Sequence, residues 1–152
     1  MDEVLLRPLI YAVLVGCMFV PLERLFPDHE AALGDHRPRL RTDVLFASVG
    51  AVLTQTLLLL VVGTVLAAAS RLRPTASSLP TALAVPLGLL IFELVGYAYH
   101  RAAHAVPLLW RLHAVHHSAP QMDWLASFRQ HPLEIVLMTL IQNLPLVLLG
   151  IP

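Results

Sequence analysis

Four long apolar runs restrict this chain to folds that are built within a membrane. They cover about residues 4–22, 44–69, 79–99 and 133–152, and the second has 26 consecutive residues without a charge. A helix needs about 20 apolar residues to cross a bilayer, where its backbone must be hydrogen-bonded internally. We therefore predict an all-α, multi-pass transmembrane domain with about four spans. The alternative is two tight hairpins that enter the bilayer without all crossing it.

Composition supports the membrane prediction. Hydrophobic residues make up 57% of the chain and charged residues 13%, against about 25% charged in soluble domains. The net charge is zero, so no nucleic-acid partner is expected. The one cysteine, Cys17, excludes a disulfide within the chain and disfavours a cysteine-based metal site. No repeat or linker divides residues 1–152, which predicts a single membrane domain.

Arginine placement predicts the orientation in the membrane. Residues 23–43 contain four arginines and residues 100–132 contain three, whereas Arg7, Arg71 and Arg73 lie on the opposite side. Cytoplasmic loops carry the excess of positive residues. The two longer connections are therefore expected to be cytoplasmic.

The connection before the fourth span is rich in histidine. Six of the eight histidines lie within residues 100–131: His100, His104, His113, His116, His117 and His131. His100 and His104 are four residues apart, so on a helix they share one face with Cβ atoms about 5–6 Å apart. We predict that this pair can hold one metal ion, which spacing alone does not identify.

A second histidine group begins at His113. His113, His116 and His117 have the i, i+3, i+4 spacing of one helical face. The adjacent pair, His116 and His117, would project about 100° apart and is suited to two neighbouring metals. The isolated His29 and His36 are interpreted as interfacial residues.

Polar residues inside and beside the spans also have predicted roles. Glu93 lies two helical turns before His100 and is predicted to hold the other ring nitrogen of a ligand histidine. Alternatively, Glu93 is protonated or pairs with Arg101. Thr42 or Asp43 is predicted to cap the second helix. Thr54, Gln55 and Thr56 are predicted to hydrogen-bond a neighbouring helix.

These motifs resemble the fatty acid hydroxylase / sterol desaturase superfamily. The resemblance rests on HxxxH within 93–104, HxxHH within 107–118 and Arg-x-His-Pro within 129–134, with Arg41-Thr42-Asp43 as a further match. Members are membrane di-iron oxygenases, which hydroxylate or desaturate a lipid C–H bond. The resemblance implies an iron-dependent oxidoreductase of lipid biosynthesis acting on a sterol or fatty acyl-type substrate. It also implies dioxygen and an external electron donor, such as a ferredoxin, cytochrome or reductase.

The resemblance also implies a set of site residues. The two non-haem irons would be held by His100, His104, His113, His116 and His117. His131 is a further candidate ligand or neighbour of a ligand, together with Glu93 and Asp123. Alternatively, His131 caps the fourth helix or bonds a carboxylate such as Asp123 or Glu134.

The chain departs from the family pattern after His131. The family has a third histidine cluster, and no histidine follows His131 here. We therefore expect an incomplete, inactive fragment that is truncated at the C-terminus. The alternative is a non-enzymatic membrane protein that binds a metal or haem, or a degenerate remnant.

Overall fold

A computed structural model describes residues 2–26, 40–72, 79–119 and 123–151, with side chains described from residue 6 onward. These residues form helices and turns and contain no strand. Four helices are long and apolar enough to cross a membrane, which confirms the all-α, multi-pass prediction. The helices are α1 (Asp2–Leu25), α2 (Leu40–Ser70), α3 (Thr81–Ala105), the short α4 (Pro107–His113) and α5 (Pro132–Leu149).

The third helix continues six residues beyond the predicted end of its apolar run. α3 ends at Ala105, so His100 and His104 lie in its last two turns and not in a loop. Val106 is extended, with φ −97° and ψ 117°, because the residue before a proline is excluded from the helical region. Pro107 then takes the first position of α4, where its missing N–H has no cost.

The start of α2 corrects two predictions about polar side chains. The helix begins at Leu40, so Thr42 and Asp43 lie inside its first turn and neither is its N-cap. Farther along, the Thr56 hydroxyl donates to the Val52 carbonyl of its own helix at 2.9 Å. That bond satisfies Thr56 within α2, in place of the predicted bond to a neighbour.

The chain divides into two compact units, and each has its own packing. The first unit comprises Met1–Thr56 and Leu112–Pro132. In it, the segment that follows α4 packs on α1: the Trp124 backbone N–H donates to the Glu23 carboxylate, and Tyr11 meets Phe128 edge-on with ring centroids 6.2 Å apart. This packing fixes the segment that leads from the second histidine group to α5.

The second unit comprises Leu57–Arg111 and Leu133–Pro152. Here α3 packs against α5, and the Gln142 amide donates to the Phe92 carbonyl at 3.3 Å. Gly88 and Gly96 of α3 make room for Ile151 and Gln142. Small residues at such contacts let membrane helices approach closely.

Gly16 on α1 provides a test of the packing in the first unit. A Cβ at this position would lie 2.8 Å from one carbon of the rigid Trp124 ring and 3.1 Å from two others. We expect Gly16→Ala to destabilise the protein by about 1–3 kcal/mol, the usual cost of overpacking. Reversible unfolding in detergent measures the loss, and Trp124→Leu should restore most of it. An unchanged stability in Gly16→Ala would contradict this packing.

Candidate metal centre

The first histidine pair lies at the end of an apolar span. His100 and His104 occupy successive turns of α3, and their Nε2 atoms are 3.2 Å apart. The ring centroids are 4.8 Å apart. The i, i+4 spacing therefore places two imidazole nitrogens side by side, because residues four apart share a helical face.

The second histidine group belongs to the first unit. His113 is the buried last residue of α4, and His117 lies in the following turn of 3₁₀ helix, His116–Ser118. Their Nε2 atoms are 3.1 Å apart. The two rings therefore lie close together although α4 ends at His113.

His116 takes a different position within this group. Its ring centroid is 5.8 Å from that of His113 and 5.3 Å from that of His117, and its plane is 77° from that of His117. Its Nδ1 atom is buried and has no hydrogen-bond partner among the described residues. A buried polar atom without a partner is costly, and a metal ion is one group that would satisfy it.

Both pairs have the separation expected for two ligands of one metal. With metal–nitrogen bonds of about 2.0–2.1 Å, two ligands at 90–110° lie about 2.8–3.4 Å apart. The observed Nε2 separations of 3.2 and 3.1 Å fall within this range. Imidazole binds iron, zinc, copper and nickel, so the residues fit iron without selecting it.

A cavity of about 290 Å³ opens beside the first histidine pair. It is lined by His104, Ala105, Pro107 and Trp110. The Trp110 ring lies 5.4 Å from the His104 ring at a tilt of 41°, and Leu108 of the same helix is largely exposed. The cavity could therefore admit an apolar chain next to a candidate metal ligand.

The remaining predicted residues lie outside these close pairs. Glu93 is exposed on α3, and His131 is half-buried immediately before α5. An Asp123 carboxylate oxygen accepts a hydrogen bond from the Ala126 backbone N–H at 2.8 Å, which caps the turn Ala126–Phe128. Metal-related roles for these three residues stay predictions.

Sequence reasoning missed a buried ion pair close to the second histidine group. Arg129 donates from Nε to Asp43 at 2.7 Å and from Nη1 to the Ser118 carbonyl at 3.1 Å. From the sequence alone, Asp43 is a candidate helix cap and Arg129 is one of the loop arginines, and both belong to family-like motifs. The sequence did contain a signal for this pair: Asp43 and Arg129 each lie next to an apolar span. Charged residues that become buried at such positions rarely lack a partner of opposite charge.

Comparison with known proteins locates the likeness in the second half of the chain. Residues 85–152 match the family model described as fatty acid hydroxylase. The chain is 40% identical over 73 residues to the ornithine lipid hydroxylase OlsE of Rhizobium tropici. That alignment covers 48% of this chain and 22% of the relative, so the match spans about a fifth of the relative's length. No solved structure matches the chain.

Proposed function

Because residues 85–152 match the fatty acid hydroxylase family model, we propose that this chain belongs to that family and acts as a membrane-bound lipid hydroxylase. The proposed reaction replaces a lipid C–H bond by C–OH. One oxygen atom of dioxygen enters the lipid, and the other leaves as water after the uptake of two electrons and two protons. The observation that carries the proposal is the convergence of ring nitrogens within each histidine pair, 3.2 and 3.1 Å apart.

The proposed centre contains non-haem iron. His100 and His104 offer two converging ring nitrogens at the end of α3, and His113 and His117 offer two more within the other unit. Only eight residues separate His104 from His113, so the two pairs are close enough along the chain to serve one centre. His116, with its buried Nδ1, is proposed as a ligand of a second iron. Bound iron supplies the activation of dioxygen.

The protein residues bind and orient the lipid. The cavity beside His104 has an apolar lining from Ala105, Pro107 and Trp110, and the neighbouring Leu108 is largely exposed. An acyl chain that entered this cavity directly from the bilayer would avoid exposure to water, which costs about 0.8 kcal/mol per exposed CH₂ group. The name of the relative indicates an ornithine lipid for that protein, and an acyl-bearing membrane lipid is the substrate class proposed here.

The electron source and the side of the membrane complete the proposal. The electrons would come from an external ferredoxin, cytochrome or reductase, as in the resembling family. Arginine placement supports a cytoplasmic position for the histidines, where such donors are available. Both points follow from sequence and family resemblance.

Lipid analysis of cells with and without the gene tests the proposed function. Cells that carry the gene should contain a membrane lipid with one additional oxygen atom, and deletion of the gene should remove this species. Complementation with the unmodified gene should restore it, whereas a gene encoding His113→Ala should not. An unchanged lipid profile after deletion, together with a haem absorption band in the purified protein, would contradict the proposal.

A further inference from the structure

Arg129 is the largest fully buried side chain among the described residues. It is 1% exposed, and its ion partner Asp43 is also buried. The guanidinium approaches one Asp43 carboxylate oxygen with Nε at 2.7 Å and with Nη2 at 2.5 Å. Asp43 lies in the first turn of α2, so the ion pair ties Arg129 to the start of a membrane span.

The third guanidinium nitrogen contacts the turn that carries two histidines. Arg129 Nη1 donates to the Ser118 carbonyl at 3.1 Å and lies 3.4 Å from the Ser118 hydroxyl. Ser118 directly follows His117 and closes the turn, because its backbone N–H and its hydroxyl both bond the Val115 carbonyl, at 3.2 and 2.7 Å. One planar side chain therefore connects α2 to the residue beside His117.

A contribution to folding stability does not by itself explain why Arg129 and Asp43 are buried as an ion pair. Replacement of a buried ion pair by apolar residues of similar size is often neutral or stabilising, because removing two charges from water is costly. A 3₁₀ turn of three residues has weak hydrogen bonds of its own, so it depends on outside contacts to keep one conformation. Arg129 supplies such a contact, because its planar guanidinium can donate N–H groups to Asp43 on one side and to Ser118 on the other.

We propose that Arg129 is a positioning residue that holds the turn His116–Ser118 in place, with Asp43 as its anchor. The guanidinium fixes the Ser118 carbonyl and thereby the backbone that presents His116 and His117. The expected effect of Arg129 on metal affinity rests on the proposed function. Its expected effect on the order of the turn is independent of that function, because it applies to the metal-free protein.

Hydrogen exchange of the full chain in detergent, without metal, tests the order of the turn. Arg129→Met combined with Asp43→Leu removes both charges and leaves no unpaired buried ion. We expect exchange at the Val115 and Ser118 amides to become about tenfold faster, with α3 unchanged. Arg129→Lys keeps a charge for Asp43 but has no planar fork to reach Ser118, so the same amides should exchange faster here too. If the Arg129→Met, Asp43→Leu double variant does not fold, the exchange rates of Arg129→Lys test whether Arg129 orders the turn.

Zinc affinity provides the second measurement, since Zn²⁺ is a redox-inert probe of imidazole sites. Outer contacts that orient metal ligands are worth about 10–100-fold in affinity, and we expect a loss of about tenfold in both variants. The positioning role would be overturned if the variants exchanged the Val115 and Ser118 amides at the wild-type rate. It would also be overturned if exchange became faster by the same factor in every helix. If the wild-type chain binds no metal while the turn loosens in the variants, the proposed metal centre fails and the positioning role stands.

Discussion

Replacement of His113 by alanine should remove the bound metal and abolish lipid hydroxylation together. His113 is buried, and its Nε2 lies 3.1 Å from that of His117, so the substitution deletes one of two converging donors. Loss of a ligand should exceed the 10–100-fold effect of losing an outer contact. Metal content after purification and lipid analysis of complemented cells provide the two measurements.

His36→Ala is the matched control for this experiment. His36 lies outside the histidine-rich stretch of residues 100–131 in the sequence, so the control makes the same chemical change at a histidine that is not a proposed ligand. It should retain full metal content and activity. If His113→Ala folds, keeps its helical content and still binds metal as the wild type does, His113 is not a ligand.

Replacement of Gly96 by leucine should have the largest effect on folding. A Cβ at Gly96 would collide with the Gln142 amide, and that amide donates to the Phe92 carbonyl. The added side chain therefore displaces a buried polar group at the contact between α3 and α5. We expect a loss of about 3 kcal/mol or more from overpacking and the broken hydrogen bond together. Resistance to unfolding in detergent measures the change.

Gly63→Leu is the control for the helix-packing experiment. A Cβ at Gly63 has its nearest neighbour, the Leu58 carbonyl oxygen, at 4.0 Å, so the added side chain enters open space. Its stability should remain within about 0.5 kcal/mol of the wild type, as for substitutions away from packed contacts. Equal stability of the two leucine variants would contradict the α3–α5 contact.

The parts of the fold that are local in sequence could be predicted from the sequence. Apolar runs longer than a bilayer require helices, and all four predicted spans correspond to helices that are long enough to cross. The spacing of His100 and His104 predicted adjacent rings because an α-helix repeats every 3.6 residues. His113 and His117 are also four residues apart, but their rings meet across a turn that follows the end of α4 and not along one α-helix.

Features that depend on helix continuation or on distant contacts were missed. Hydropathy falls after Tyr99, yet α3 continues to Ala105 because alanine, arginine and histidine still support a helix until Pro107 stops it. The ion pair between Asp43 and Arg129 joins residues 86 positions apart. No local pattern predicts such a contact.

The metal is the part of the proposed site that the histidine geometry does not select. The donor atoms fit iron, zinc or copper, and the choice of iron comes from the fatty acid hydroxylase match over residues 85–152. The proposed cytoplasmic orientation is based on arginine counts. Identification of the metal therefore separates a lipid hydroxylase from a non-enzymatic metal-binding membrane protein.

Mössbauer spectroscopy of the chain purified from ⁵⁷Fe-supplemented cells is the most direct test. The control is a variant in which alanine replaces His100, His104, His113 and His117. We expect the wild-type chain to show nitrogen-ligated, non-haem iron and no haem absorption band, and the variant to show no iron signal. Equal iron in wild type and variant, or a haem spectrum in the wild type, would contradict the central claim that these histidines form a non-haem iron centre.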